Sequence, residues 1–240
     1  MSIHVLDYAF QHPSVEQLHA AGVTIVGRYL GQAMTEPKNM SAAETRALTD
    51  AGIDIFTNFE YGANQVLGGA RQAQADVSLF RAQRAAVGMP LGRPCYVAAD
   101  FDVPDFAPSL PNEPQCAKAK LGPLWDYWHV WRTEEGPEVS AGYGGYWMLR
   151  RLFDAGLISW GFQTVAWSGG QWEPRACLRQ TGVTEFGNGA DVDVAERQDI
   201  GQWKVGQPVP PRPVPPPQPG PTRAQAMVAA RTVLAYLEAH

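Results

Sequence analysis

A repeated alternation between short β-rich segments and longer segments of helical periodicity constrains the fold of this chain more than any other feature. Eight segments rich in β-branched and aromatic residues are predicted to form strands, at residues 3–7, 24–29, 53–60, 95–100, 139–143, 162–167, 176–180 and 190–193. Five segments between them are predicted to form helices, at residues 13–21, 41–51, 69–87, 116–131 and 146–155. Strands joined by helical crossovers run parallel, so the alternation predicts an α/β fold around a parallel sheet.

Eight strands within residues 1–205 predict a small (β/α)8 TIM-like barrel. Barrels of this type usually take about 250 residues, so some of the later helices must be reduced to turns, as the segment 168–174 suggests. The alternative is a doubly wound open sheet. The Gly-Tyr-Gly-Gly at 142–145 lacks the G-x-G-x-x-G spacing of a dinucleotide site, which favours the barrel.

Two further segments follow the predicted barrel. Residues 206–222 are rich in proline and are predicted to form an extended linker. Residues 223–240 are predicted to form a C-terminal helix, with Met227, Ala230, Leu234 and Leu237 on one face. This apolar face is expected to pack on the barrel, on a protein partner or on a second copy of the chain.

Composition and charge exclude several classes of partner. The 240 residues carry a net charge of −5 and no basic segment interleaved with aromatic residues, so we expect no nucleic-acid binding. No apolar run approaches the roughly 20 residues that span a bilayer. The N-terminus lacks the basic and apolar regions of a signal peptide, so we expect no self-encoded export. Cys95, Cys116 and Cys177 have no metal-site spacing and are predicted to be buried thiols.

Reactive or polar side chains stand at the ends of the predicted strands. In a barrel, the carboxyl ends of the strands and the loops that follow them form the active site. The side chains predicted to meet there are Asp7, Arg28, Tyr29, Glu60, Tyr61, Asp100, Asp102, Tyr143, Trp167, Gln180, Asp191 and Asp193. Crowded carboxyl groups repel one another, and burial raises the pKa of at least one of them.

Asp100 and Asp102 are separated by one residue on the fourth predicted strand, so both carboxyl groups are expected to face one pocket. Glycoside hydrolysis needs one protonated acid and a second, ionised group. The same D-x-D pattern also suits Mg²⁺ or Ca²⁺, or caps a loop. Asp7 and Asp191, on strands that are neighbours in a closed barrel, favour the acid site.

Aromatic side chains at the same predicted edge suit the apolar faces of sugar rings. Tyr143, Trp167 and Trp172 are the candidates for this contact. Glu60 is expected either to face the cleft or to form an ion pair with Arg28 on the neighbouring strand.

Short segments in a specific order carry a family resemblance over residues 3–203. They are Val5-Leu6-Asp7-Tyr8, Gly27-Arg28-Tyr29-Leu30, Tyr96-Val97-Ala98-Ala99-Asp100-Phe101-Asp102, Gly142-Tyr143-Gly144, Val165-Ala166-Trp167, Leu178-Arg179-Gln180, Asp191-Val192-Asp193 and Gly201-Gln202-Trp203. The chain resembles the glycoside-hydrolase-like TIM-barrel domains of actinobacterial and phage proteins, formerly a domain of unknown function. These domains are similar in turn to the glycoside hydrolase family 25 lysozymes.

The resemblance implies roles for individual acids. Family 25 muramidases carry a D-x-E pattern whose Glu is the general acid, so Asp102 matches the acid and Asp100 the first carboxylate. Asp7 matches the aspartate of the first strand and Asp191 that of the eighth, with Asp193 as the alternative. The Asp at 102 is shorter than Glu by about one C–C bond, and a misplacement of about 1 Å can cost 10²-fold in rate.

The expected function is therefore a lysozyme-like glycosidase acting on cell-wall peptidoglycan, with no metal and no cofactor. Asp102, Asp100, Asp7 and Asp191 would be catalytic, and the predicted substrate-binding residues are Glu60, Tyr143, Trp167, Gln180, Asp193 and Arg28. The first alternative is a weak or inactive glycan-binding barrel in a phage tail or cell-envelope assembly. The second is a metal-dependent hydrolase. The missing export signal suggests a phage-encoded, endolysin-like protein.

Overall fold

A computed structural model describes residues 3–33, 36–103 and 121–209 of the chain. The predicted C-terminal helix, most of the predicted linker, Cys116 and the first part of the predicted fourth helix lie outside these residues. Cys95 and Cys177 are free and buried, as predicted.

Eight strands close into a barrel in chain order, which confirms the predicted fold class. The strands are β1 (Val5–Asp7), β2 (Ile25–Leu30), β3 (Asp54–Phe59), β4 (Cys95–Ala98), β5 (Ser140–Gly144), β6 (Trp160–Thr164), β7 (Leu178–Glu185) and β8 (Ala190–Ala195). The described helices are α1 (Val15–Ala20), α2 (Ala42–Asp50), α3 (Gly69–Val87), α4 (Pro123–Glu135) and α5 (Tyr146–Asp154), and a 3₁₀ helix, Gln65–Gly68, precedes α3.

Local sequence signals account for several helix ends. The hydroxyl of Ser14 accepts a hydrogen bond from the backbone N–H of Gln17, whose side chain accepts one from the Ser14 N–H, so the two residues form a capping box at the start of α1. The hydroxyl of Ser41 caps α2 in the same position. Gly88 ends α3 with a φ of +75°, a left-handed conformation that glycine adopts without strain.

The last strand runs against the other seven. β1 to β7 pair in parallel, whereas β8 pairs antiparallel with both β7 and β1. Only residues 186–189 separate β7 from β8, and such a tight connection joins antiparallel strands. The expectation that all eight strands are parallel is therefore wrong for β8. The segment between β6 and β7 contains no helix, in agreement with the predicted shortening at 168–174.

An aromatic layer fills the inside of the barrel. Phe56, Tyr96 and Phe162 contact one another edge to face, with ring centroids 5.7 to 6.0 Å apart. Gly27 makes room for this layer, since a Cβ there would lie 2.3 Å from the Phe56 ring. A larger apolar cluster packs the helices on the outside of the sheet. Because side chains alternate along a strand, the inward residues that follow the aromatic layer lie nearer the carboxyl ends.

Candidate active site

A cavity of about 230 Å³ opens at the carboxyl ends of the parallel strands, and we call it the central cavity. Asn58, Ala98 and Thr164 each follow a residue of the aromatic layer by two positions, so their side chains point into the cavity. The complete lining is Tyr29, Asn58, Glu60, Ala98, Asp100, Tyr143, Thr164, Ala166, Gln180 and Asp191. The cavity therefore collects residues from seven strands or the loops that follow them.

A second cavity of about 290 Å³ lies beside it, and we call it the outer cavity. It lies between the loop after β1 and the turn that joins β7 to β8. Its lining is Asp7, Tyr8, Ala9, Phe10, Gln11, Tyr29, Asn188, Gly189, Ala190 and Asp191. Tyr29 and Asp191 line both cavities, so they lie at the boundary between the two.

A hydrogen-bond network joins two of the predicted catalytic acids. The Tyr29 hydroxyl donates to Oδ1 of Asp7 at 2.6 Å. The Gln180 amide donates to Oδ2 of Asp7 at 3.1 Å and to Oδ2 of Asp191 at 3.2 Å. The Tyr143 hydroxyl in turn donates to the side-chain oxygen Oε1 of Gln180 at 2.8 Å. Gln180 thus positions both carboxyl groups at the boundary of the cavities.

Asp193 lies beneath this network and is 4% exposed. Within the described part of the chain, neither of its carboxyl oxygens accepts a hydrogen bond. Its carboxyl group lies within hydrogen-bonding reach of Asp7, and burial followed by the charge of Asp7 raises its pKa far above the usual range. Two carboxyl groups form a hydrogen bond only when one of them holds a proton, so the raised pKa of Asp193 favours a protonated carboxyl group beside Asp7.

Burial also raises the pKa of the other acids on this side. The pKa of Asp7 rises to about 6, because burial and the charge of Asp191 outweigh the hydrogen bonds from Tyr29 and Gln180. Burial, and then the charge of Asp100, raise the pKa of Asp191. A raised pKa favours the protonated form of a carboxyl group, which can donate its proton to a bound molecule.

The two acids of the D-x-D pattern lie in different surroundings. Asp100 lines the central cavity and accepts a hydrogen bond from the Trp167 indole at 3.1 Å. Asp102 is exposed and lines neither cavity. β4 ends at Ala98, so strand alternation does not extend to these residues, and the predicted placement of both carboxyl groups in one pocket is corrected. The catalytic role of Asp102 stays a prediction.

Glu60 lines the central cavity and forms an ion pair with Lys38, not with Arg28. Lys38 Nζ lies 2.6 Å from Oε2 of Glu60 and 4.3 Å from the centre of the Tyr29 ring. Of the two alternatives for Glu60, the structure therefore shows the cleft position and not the ion pair with Arg28.

Arg28 lies on the other face of β2, because neighbouring residues of a strand point to opposite sides. Its buried guanidinium donates to Glu44 at 2.6 Å and to the carbonyl of Tyr8. It lines neither cavity, so the structure does not bring it to the other predicted substrate-binding residues.

Some site residues escaped the sequence analysis. They are Lys38, Asn58 and Thr164, whereas Tyr29 lines the central cavity as its place at the end of a predicted strand indicates. Asn58 is 3% exposed, and its buried side-chain oxygen has no hydrogen-bond partner among the residues that the structure describes. Its position two residues before Glu60 was the available signal, since the two side chains share one side of β3. Trp172 instead packs under the guanidinium of Arg179, 5.6 Å from its ring centre, and lines neither cavity.

Two further classes of site were searched for in the described residues. No three or more His, Cys, Asp or Glu side chains among them are grouped so that they could hold a metal ion. None of the described helices is both long and apolar enough to cross a membrane.

Residues 16–107 match the family model described as Rv2525c-like, glycoside hydrolase-like domain, which confirms the resemblance identified in the sequence. The crystal structure of the Mycobacterium tuberculosis Tat-secreted protein Rv2525c in complex with L-tartrate is similar, with a TM-score of 0.71 and 25% identity over 83% of this chain and 98% of that chain. No curated protein matches the chain.

Two other solved structures show more distant likeness. An uncharacterized B. stearothermophilus protein has a TM-score of 0.55 and 11% identity over 82% of this chain and 97% of that one, which shows a common fold. The lysozyme of Streptomyces coelicolor has a TM-score of 0.49 and 12% identity over 82% of this chain and 93% of that one.

Proposed function

We propose that this protein is a lysozyme-like glycosidase that hydrolyses the glycan chain of bacterial cell-wall peptidoglycan with its own carboxyl groups. The observation that carries the proposal is the pair of electrostatic environments around the two cavities. Asp191 has a raised pKa and lies where the cavities meet, while Asp100 and Glu60 accept from an indole N–H and a lysine. Glycoside hydrolysis needs such a contrast between a protonated and an ionised carboxyl group.

The first step is proton transfer. The protonated carboxyl group of Asp191 donates its proton to the glycosidic oxygen, the bond from that oxygen to the anomeric carbon breaks, and the leaving sugar departs as an alcohol. The positive charge that develops on the remaining ring is stabilised by the carboxylates of Asp100 and Glu60 in the central cavity.

The second step regenerates the acid. The acetamido oxygen of the substrate forms a bond to the anomeric carbon, a recognised alternative to a protein nucleophile. Water then attacks the same carbon, the acetamido group is released, and the ionised Asp191 takes up the proton of the water. The configuration at the anomeric carbon is retained, because it is inverted twice.

Asp102 is the second candidate for the proton donor, on the strength of its match to the acid of the D-x-E pattern. The two candidates differ in position, since Asp191 lines both cavities and Asp102 lines neither. Replacement of each acid by its amide separates them, because only loss of the true donor removes the proton-transfer contribution, about 10²- to 10⁴-fold in rate.

The test is release of new reducing ends from purified peptidoglycan by the 240-residue chain and by Asp191→Asn and Asp102→Asn, each with and without a chelator. Asp50→Asn is the matched control, because Asp50 is an exposed carboxylate at the end of α2. We expect loss in Asp191→Asn, near-normal rates in Asp102→Asn and Asp50→Asn, and no effect of chelator. Loss only in Asp102→Asn would move the donor to that residue, and loss with chelator would establish a metal-dependent hydrolase.

A glycan-binding barrel without hydrolysis is the second candidate function. The exposed position of Asp102 favours it, because the residue that matches the family acid is outside the cavities. In that case the protein would sediment with peptidoglycan and release no reducing ends. The natural setting would then be a phage tail or a cell-envelope assembly.

The site of action that follows from either candidate is the cell wall. The more specific proposal, that the protein is an endolysin of phage origin, is tested by lysis of intact cells. Addition of the protein to actinobacterial cells from outside, with loss of turbidity as the readout, is expected to lyse them if the glycan is accessible.

A further inference from the structure

We propose that the central cavity binds a protonated amine, so that glucosamine, which has an ammonium group where N-acetylglucosamine has an acetamido group, is held there more tightly than the acetylated sugar. The inference rests on the proposed function only for the sugar that bears the amine. Two observations support it: Asn58 has a buried acceptor oxygen without a partner among the described residues, and the charged side chains that line the cavity are all acidic.

Asn58 leaves an acceptor open at the floor of the central cavity. Its side chain is 3% exposed and lines the cavity two residues after Phe56 of the aromatic layer. Its buried oxygen Oδ1 accepts no hydrogen bond from any residue that the structure describes. A buried polar atom normally has a partner, and an unpaired one costs free energy. A ligand that brings a hydrogen-bond donor to this oxygen is therefore favoured.

The donor groups of three residues that line the cavity are already used. The Tyr29 hydroxyl donates to Asp7, and the Tyr143 hydroxyl donates to Gln180. The side-chain amide of Gln180, which has two hydrogens, donates to both Asp7 and Asp191. A ligand thus meets oxygen acceptors on these residues and has to supply the hydrogen-bond donors itself.

The negative charge of the lining is not balanced. Glu60, Asp100 and Asp191 line the cavity, and none of the described lysine and arginine side chains does. Lys38 reaches Glu60, but Asp100 accepts from the neutral indole of Trp167. The charge of Asp100 acts on Asp191, whose pKa it helps to raise. A cation in the cavity would therefore stabilise the ionised form of both carboxyl groups.

An ammonium group meets both demands better than an acetamido group. It has three N–H donors and a positive charge, whereas the acetamido nitrogen has one N–H and no charge. Glucosamine, however, lacks the acetamido oxygen that bonds to the anomeric carbon in the second step of the proposed mechanism. De-N-acetylated glycan is therefore expected to occupy the cavity without being cleaved, and to inhibit cleavage of the acetylated glycan competitively.

The experiment is titration calorimetry of the 240-residue chain at pH 6 with glucosamine, with N-acetylglucosamine and with the β-1,4-linked tetramer of N-acetylglucosamine. We expect glucosamine to bind about tenfold more tightly than N-acetylglucosamine, the size of one charge-assisted hydrogen bond. Asp100→Asn should remove most of this preference, and Asn58→Leu should reduce it. Asp50→Asn removes an exposed carboxylate at the end of α2 and should leave the preference unchanged.

Lys38→Met should change the preference in the opposite direction. It leaves the carboxylate of Glu60 without its cation, so the affinity for glucosamine should rise relative to that for N-acetylglucosamine. A variant that had lost its fold would bind neither sugar, so a raised preference separates the effect of charge from loss of structure. An unchanged preference in Lys38→Met would contradict the inference.

The failures are distinguishable. If the wild type binds the tetramer but does not prefer glucosamine, or if Asp100→Asn and Asp50→Asn change the preference equally, only the inference is wrong. If the wild type prefers glucosamine in a manner that depends on Asp100 but does not bind the tetramer, the cation site stands and the proposed function is wrong. If none of the three sugars binds, both are wrong.

Discussion

The two sides of the barrel mouth hold their carboxyl groups in different ways. On the β1–β8 side, which comprises Asp7, Asp191 and Asp193, the acids contact one another and neutral donors, and burial raises all three pKa values. On the β3–β4 side, Glu60 pairs with Lys38 and Asp100 accepts from Trp167. The two sides thus differ in the partners of their carboxyl groups: burial and neighbouring acids favour the protonated form on the β1–β8 side, whereas a lysine and an indole N–H face the carboxyl groups on the β3–β4 side.

Loss of the hydrogen bonds from Gln180 to the acids of the β1–β8 side should have the largest effect on activity. Gln180→Leu removes the amide that holds Asp7 and Asp191, so the donor loses its position, and we expect the rate of reducing-end release to fall about 10²-fold. Gln74→Leu on the exposed face of α3 is the control. An unchanged rate in Gln180→Leu would mean that the network does not position the acid.

Replacement of the buried acid Asp193 should increase stability. Its pKa is raised far above the usual range, so the folded protein favours the protonated form at a pH where the unfolded chain does not. Asparagine needs no proton, so Asp193→Asn should raise the free energy of unfolding at pH 7, and the gain should shrink towards pH 4.

The sign of the pH dependence of stability also follows from the raised pKa of Asp7. Between pH 4 and pH 6 the folded protein binds more protons at Asp7 than the unfolded chain does, so the stability of the wild type should fall as the pH rises through that window. Denaturant unfolding at pH 4, 5, 6 and 7 measures the slope. Asp193→Asn should show a shallower slope, and Asp50→Asn should keep the wild-type slope.

The two sides are also coupled through charge, which a pH–rate profile can detect. If Asp191 donates the proton, the rate falls as the pH rises through its pKa. Asp100 contributes to raising that pKa, so Asp100→Asn should move the falling limb to lower pH, whatever its effect on the maximal rate. If the falling limb stays at the same pH in Asp100→Asn, the charge of Asp100 does not affect the pKa of the proton donor.

Loss of the Lys38 ammonium group on the β3–β4 side should have the smallest effect on stability. Lys38→Met breaks a half-buried ion pair and should lower the unfolding free energy by about 1 kcal/mol. Lys204→Met breaks a comparable pair with Asp54, 3.2 Å apart at the start of β3, and should cost about as much. Only Lys38→Met is expected to weaken binding of the N-acetylglucosamine tetramer, which isolates the role of Glu60 in the cavity.

Much of this architecture could be predicted from the alternation of segments. The barrel and the extent of α3 follow from periodicity and glycine positions, because these are local properties of the sequence. The direction of β8 was missed, although only nine residues separate Gln180 from Ala190 and a parallel crossover needs a dozen or more. Asp191 still reaches the mouth, because the first residues of an antiparallel strand lie beside the last residues of its neighbours.

The wrong placements of Arg28 and Asp102 in the cavity have a common physical cause. Both faces of a barrel strand are buried, so a charged residue at a strand end can belong to either face. The end of the second predicted strand places both Arg28 and Tyr29 at the cavity, but only Tyr29 faces it, while Arg28 pairs with Glu44 of α2. For Asp102, the alternation of polar and apolar residues continues past the point where β4 ends, and the sequence alone does not mark that point.

Because β8 runs antiparallel, residues 186–189 lie at the end of the barrel where the parallel strands end and their connections to the next strand begin. A four-residue turn there borders the outer cavity without forming part of the barrel wall. Lengthening or exchanging that turn would therefore change the wall of the outer cavity while the strands of the barrel keep their pairing.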